Sequence, residues 1–173
     1  PDYASNRVTV YEGDAKNSKD LEQALDKVDV VFASLSGSLD IEAQAIVDAM
    51  SKKDVKRLIF VAAPGIYDEL PAKFNEFNKS QFGEKLTKYR KAADIIEAST
   101  LDYTIIRPAW LTFKNETDYE VTSKDTQFRG TEVSRRSIAS LAVRIAKNPE
   151  LYSKENIGVN KPNTDGDKPA WFN

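Results

Sequence analysis

Short continuous apolar runs alternate along this chain with sets of apolar residues at helical spacing. Arg7 to Glu12 alternates, with Val8 and Val10 on one face, and stops at Gly13-Asp14, which predicts a strand and a turn. Leu21, Ala24, Leu25 and Val28 then recur at helical spacing behind a cap at Asn17 or Ser18. Asp29 to Ala33 is a second predicted strand, closing in Ser34-Leu35-Ser36-Gly37, where small and hydroxylic residues leave room for a flat ligand. Ile41, Ala45, Ile46, Ala49 and Met50 predict a helix over 40–52, and Leu58 to Val61 a third strand leading into Ala62-Ala63-Pro64-Gly65. Residues 66–83 have no clear period and read as a long functional loop or short helical turns.

The helical pattern resumes near Glu84 with Leu86, Tyr89, Ala93 and Ile96, and hands over to Leu101–Leu111, LDYTIIRPAWL. Tyr103 to Ile106 is apolar on both parities, as expected of a parallel strand covered on both faces. Pro108 lacks an N–H and holds Arg107 extended, so the carboxyl end of this strand has a fixed exit, and in an open parallel sheet that end binds ligands. A polar excursion over 112–130 holds one short candidate strand, 119–121. A helix follows, capped by Ser134, stapled by Val133 and Ile138, buried through Leu141, Ala142 and Ile145, and stopped by Asn148-Pro149. Residues 157–159 predict a last edge strand, and the tail from Lys161 is expected to run over the surface, with Asp165-Gly166-Asp167 a turn rather than a calcium loop. The order predicts an α/β chain, residues 1–173 forming one domain around a right-handed, mostly parallel sheet.

Composition narrows the chemistry. With 25 basic against 27 acidic residues and net charge −2, nothing points to a nucleic-acid partner. The chain has no Cys and no His, which excludes a disulfide, a Cys/His zinc site and any imidazole relay. Proton transfer then falls to Tyr, Lys, Asp, Glu or a cofactor. No apolar run reaches the roughly 18 residues of a membrane span, so no membrane partner and a cytoplasmic location are expected. The sequons at Asn78 and Asn115 are read as chance.

Five segments in order, GD at 13–14, VDVVFASLSG at 28–37, VKRLIFVAAPGIYDE at 55–69, KAADIIEASTLDYTIIRPAWL at 91–111 and EVSRRSIASLAVRIAKNP at 132–149, resemble the atypical short-chain dehydrogenase/reductases of the NmrA-like, NAD(P)H-binding type. The resemblance implies a Rossmann-type, doubly wound sheet with helices on both faces. It places Asp14 near the adenine, Ala33, Ser34, Leu35, Ser36 and Gly37 along the adenosine, Ala62 and Ala63 beneath the nicotinamide ribose, and Pro108, Ala109, Trp110 and Leu111 beside the nicotinamide. Trp110 is either a wall of that pocket or a core aromatic. The implied cofactor is NAD(P)H, with NADP ahead of NAD, and the implied partners are this dinucleotide and a small-molecule substrate.

Three departures qualify the resemblance. The family opens with a strand, a glycine-rich turn and a helix that cradle the pyrophosphate. Here the seven glycines include no pair closer than Gly158 and Gly166, and the first predicted strand corresponds to the family's third. The N-terminal strands are therefore expected to be missing from these 173 residues, leaving a gap in the sheet, an exposed apolar face and a chain that does not fold stably by itself. The catalytic Ser position reads Ala62-Ala63, and no Tyr-x-x-x-Lys follows: Tyr89 is succeeded by Ala93, Tyr67 by Pro71, and Lys85 stands before Tyr89 as an exposed helix neighbour. Tyr67, just past a strand end, remains the candidate substrate-facing acid, the alternative being a loop tyrosine packed near Phe74 and Phe77. Two functions follow: reduction of a small carbonyl or quinone-type substrate by hydride transfer, or a non-catalytic dinucleotide-binding redox sensor that reports to a protein partner.

Overall fold

The computed structural model describes residues 7–172. Its helices are α1 (Ser18–Ala24), α2 (Leu39–Lys52), α3 (Ala72–Phe82), α4 (Lys85–Glu97) and α5 (Arg135–Lys147). Its strands are β1 (Val30–Ala33), β2 (Arg57–Val61), β3 (Asp102–Pro108), β4 (Trp110–Thr112), β5 (Glu120–Thr122), β6 (Glu132–Ser134) and β7 (Glu155–Asn160). The main sheet runs β1-β2-β3-β7-β5, with β1, β2, β3 and β7 parallel and β5 antiparallel against β7.

Alternate side chains of each strand enter different layers. Leu58, Phe60 and Ile105 join Ala43 and Met50 of α2 and Ala93 and Ile96 of α4 in one core. Ile59, Ile106 and Ile157 join Ile138, Leu141 and Ile145 of α5 in a second core on the other side. This is the doubly wound, Rossmann-type arrangement, and it explains why the central strands are apolar on both parities.

Pro108 is the last residue of β3, as its missing N–H demands. Ala109 N–H then donates to Val159 O at 2.8 Å and Trp110 N–H to Thr131 O at 3.1 Å, which passes the chain from the main sheet into a second parallel ladder of β4 with β6. Ser134 caps α5 by accepting the N–H of Ser137 at 2.9 Å, with Val133 and Ile138 buried beside it.

Three expectations need correction. Residues 7–12 form no strand: Val8 makes one isolated bridge, and Val8, Val10 and Tyr11 are exposed, because no described segment lies alongside to complete a ladder or cover the apolar face. Residues 72–82 are a regular helix started by Pro71, which tolerates a helix N-terminus. Its buried residues are Phe74 and Asn78, one of them polar, so the apolar period was weak in the sequence. β7 is interior rather than an edge, because β5 from the polar excursion adds on outside it.

The expected exposed apolar face is present. β1 ends the sheet, Phe32 is 49% exposed, and Val30, Phe32, Ile59 and Val61 face α5 across an open groove of about 510 Å³.

Candidate functional site

β1, β2 and β3 point their carboxyl ends the same way, so the turns after them meet along one sheet edge. Ser34 and Leu35 follow β1, Ala62, Ala63 and Pro64 follow β2, and Pro108 to Leu111 close β3. Together they line one cleft of about 410 Å³. Ala62 N–H donates to Ile106 O at 2.8 Å, which keeps the β2 exit in register with β3. Without side chains beyond Cβ, Ala62 and Ala63 let a flat ring approach the backbone at the cleft floor. A second cleft of about 550 Å³ adjoins the first through Phe82, Tyr89 and Trp110, and adds Ser36, Gly37, Lys85 and Lys88. Gly37 has φ +111°, a conformation that L side chains rarely adopt, so the turn after β1 depends on glycine.

Trp110 is a wall of both clefts, and its position is fixed by a residue that the sequence offers only as a chance sequon. Asn78 of α3 is fully buried; its amide donates to Pro64 O at 2.9 Å and its carbonyl accepts Trp110 Nε1–H at 3.1 Å. One side chain thereby ties the β2 exit to the β3 exit. Gly65 makes room for it, since a Cβ there would lie 2.8 Å from the Asn78 amide nitrogen. Aromatic rings complete the wall: Phe77 and Phe82 lie 5.3 and 5.4 Å from Trp110, and Trp171 and Phe172 lie 6.2 and 5.7 Å from it. The chain's end therefore returns to the cleft, and Trp171 lines it, whereas the sequence suggested only a surface tail.

Tyr89, Arg135 and Trp171 were also missed as cleft residues. Tyr89 was legible in retrospect, because α4 starts beside the carboxyl ends of the strands and carries Tyr89 in its first turns on the Leu86–Ala93–Ile96 face. Burial pushes the Tyr89 hydroxyl above its usual range, with Glu42 adding to the shift, so it stays protonated as a donor.

Tyr67 goes elsewhere. It lines a different cleft with Glu69, Lys124 and Gln127, and its hydroxyl donates to Glu97 at 3.3 Å and accepts from the Asn156 amide at 3.0 Å. Glu97 ends α4, eight residues beyond Tyr89, which is about 12 Å along the helix. Burial, then the Glu97 carboxylate, raises the Tyr67 pKa. Arg90 lies over its ring at 4.6 Å and Lys124 at 4.4 Å. Beneath it Arg107, fully buried, pairs with Glu69 and donates through Nε to Asn156 at 2.7 Å. Glu69 also accepts the Gly65 and Tyr67 N–H groups at 3.0 Å each, so this network fastens the loop after β2.

Asp14 is also apart from the main cleft. It lies beside Gly13 and Asp20, and the Lys16 backbone N–H, foremost among its contacts, holds its carboxyl below the usual range. Ala33 is buried at the end of β1 under the Ser34–Leu35 turn. The small floor, aromatic wall and strand-end position fit the nicotinamide half of a dinucleotide; a glycine-rich diphosphate cradle is not part of this sequence. No group of three or more His, Cys, Asp or Glu among the described residues has the geometry to hold a metal ion. No helix among them is long and apolar enough to cross a membrane.

The profile of the NAD(P)H-binding family matches residues 1–149. The chain belongs to that family. A Rossmann-fold NAD(P)-binding family protein from Shigella flexneri is 48% identical, over 92% of this chain and 74% of that one, with a TM-score of 0.77. A short-chain dehydrogenase/reductase from Veillonella parvula, in complex with NADP, is 32% identical over 96% of this chain and 78% of that one, with a TM-score of 0.92. ChuY, an anaerobillin reductase from Escherichia coli, is 21% identical over 90% of this chain and 76% of that one, at a TM-score of 0.77, a likeness of fold alone. No curated protein matches the chain. The fold of this NAD(P)H-binding family member is thus the oxidoreductase-type Rossmann fold of its structural relatives.

Proposed function

We propose that this chain binds NAD(P)H with the nicotinamide in the cleft between Ala62-Ala63 and Trp110, and reduces a small carbonyl or quinone-type substrate. The observation that carries the reading is the convergence of three strand ends on one aromatic-walled cleft whose lining includes the hydroxyl-bearing residues Ser34 and Tyr89. A reduced nicotinamide bound there supplies the hydride. The chain's own residues do the rest: Ala62 and Ala63 leave the floor flat, Asn78 holds Trp110 as the wall, and aromatic side chains exclude water. The protonated Tyr89 hydroxyl donates a hydrogen bond to the substrate oxygen, a role we assign to it in preference to Tyr67, whose hydroxyl is engaged by Glu97 and Asn156. Ser34, Leu35, Ser36 and Gly37 would border the adenosine-ward part of the cofactor. Asp14, in its separate cleft, would reach only the adenine. NADP is favoured over NAD, supported by the Veillonella relative's NADP complex.

The test is cofactor oxidation by the full-length protein with a panel of quinones and aldehydes. Tyr89→Phe is expected to lower kcat about 100-fold, in the range of a lost general acid, and Tyr67→Phe far less. Equal loss in both variants would contradict the assignment of Tyr89.

A second reading, a dinucleotide-binding redox sensor acting on a protein partner, is favoured by one observation: the floor reads Ala62-Ala63 where a catalytic serine would stand, and Tyr89 has no lysine four residues on. Tight dinucleotide binding without turnover on any of the panel would support it.

A further inference from the structure

The two joined clefts have an unusual charge for this molecule. The chain has more acidic than basic residues, yet among the described residues the charged side chains lining the clefts are Lys85, Lys88 and Arg135, with no Asp or Glu. Lys85 and Lys88 stand one turn apart on α4, at the mouth of the outer cleft, and neither has a carboxylate partner among the described residues. Lys79, Lys114 and Lys124, by contrast, are held by Asp68, Glu132 and Glu97. Glu42 lies buried behind Gly37 and does not line the cleft. Between the lysines and the cleft floor stand the rings of Phe82, Tyr89 and Trp110.

We propose that the outer cleft takes a planar aromatic or quinonoid substrate bearing an anionic group, a carboxylate or sulfonate. Its ring lies against Trp110 and Tyr89, and its anion is held by Lys85 and Lys88. An apolar wall ending in two cations of one sign selects this class over neutral quinones, because a neutral ring leaves both lysines in water while an anion gains two charge-assisted contacts at the edge of a partly desolvated pocket. The proposal rests on the reading of the inner cleft as the nicotinamide site, and it names what occupies the space beyond it.

The experiment uses the full-length protein, a naphthoquinone and the corresponding naphthoquinone sulfonate. Both tryptophans of the chain lie at the clefts, so quenching of tryptophan emission reports binding without any need for turnover. The sulfonate is expected to bind about tenfold more tightly than the neutral quinone, and the preference to shrink in high salt. In the Lys85→Ala/Lys88→Ala variant the ratio of the two affinities is expected to fall to about one, while Lys85→Arg/Lys88→Arg keeps it. Equal affinity of the wild type for both quinones overturns the proposal. So does a double variant that keeps the preference but loses NADPH affinity, since the lysines would then serve the cofactor's phosphates. Lysine-dependent binding of the sulfonate without its reduction would support the anion site but overturn its occupant as a substrate, and with it the enzymatic reading on which Tyr89 was given its role.

Discussion

At the scale of single residues, the decisive side chains are polar ones in buried places. Asn78 donates to Pro64 O and accepts from the Trp110 indole, so its removal strands a carbonyl and an N–H at the cleft wall. Asn78→Leu is expected to cost about 1–3 kcal/mol in urea unfolding and to change the tryptophan emission maximum; an unaltered spectrum would mean that Trp110 is held by its aromatic neighbours alone. Tyr67 makes a pH prediction. Its pKa in the folded protein is raised above the usual 10.0, by burial first and the Glu97 carboxylate second. The unfolded chain then loses this proton before the folded one, so the contribution is complete below pH 10, declines as pH rises beyond it, and is lost through the folded pKa. Tyr67→Phe should flatten the alkaline fall of the melting temperature, and a parallel fall in both proteins would contradict the assignment. None of this was legible in the sequence, where Asn78 is one of several polar residues in an unpatterned stretch and Arg107 is simply the residue before a proline. Whether a polar residue is buried depends on contacts between segments distant in the chain, such as Arg107 with Glu69 and Asn156.

At the scale of elements, legibility followed the strength of the local signal. α5 was read with its cap, staple and stop because each is a local device: Ser134 accepts the Ser137 N–H, Val133 and Ile138 pack together, and Asn148 ends the helix. Ser134→Ala is expected to destabilise the protein by about 1 kcal/mol, measured by chemical denaturation. A loss well below that would mean that the Ser137 hydroxyl, through its contact to Asp118 O, holds this helix end without the Ser134 cap. β1, β2 and β3 were equally readable, being apolar on both parities. α3 was not, since its buried face pairs Phe74 with an asparagine. Residues 7–12 alternate as a strand would, but alternation specifies only which side chains should be covered; without a neighbouring strand among the described residues Val10 stays 72% exposed. β7 was placed at the edge because the short, polar β5 gave little sign that it would pair outside it.

At the scale of the whole molecule, the sheet order converts these local readings into a site. Parallel pairing of β1, β2 and β3 gathers residues about 30 and 75 positions apart, Ser34, Ala63 and Trp110, onto one edge, and the tail adds Trp171 from the chain's other end. Of the residues expected to touch the cofactor, those after the three strands meet in the joined clefts, while Asp14 lies in its own cleft and Tyr67 faces Glu97. In the proposed complex the nicotinamide ring lies against Trp110. This placement is tested most directly by titrating the full-length protein with NADPH while exciting tryptophan. Quenched tryptophan emission together with sensitised nicotinamide emission is expected, and both are expected to persist in Trp171→Phe, where Trp110 is the remaining tryptophan; NADPH binding that leaves the tryptophan emission of Trp171→Phe unchanged would contradict it.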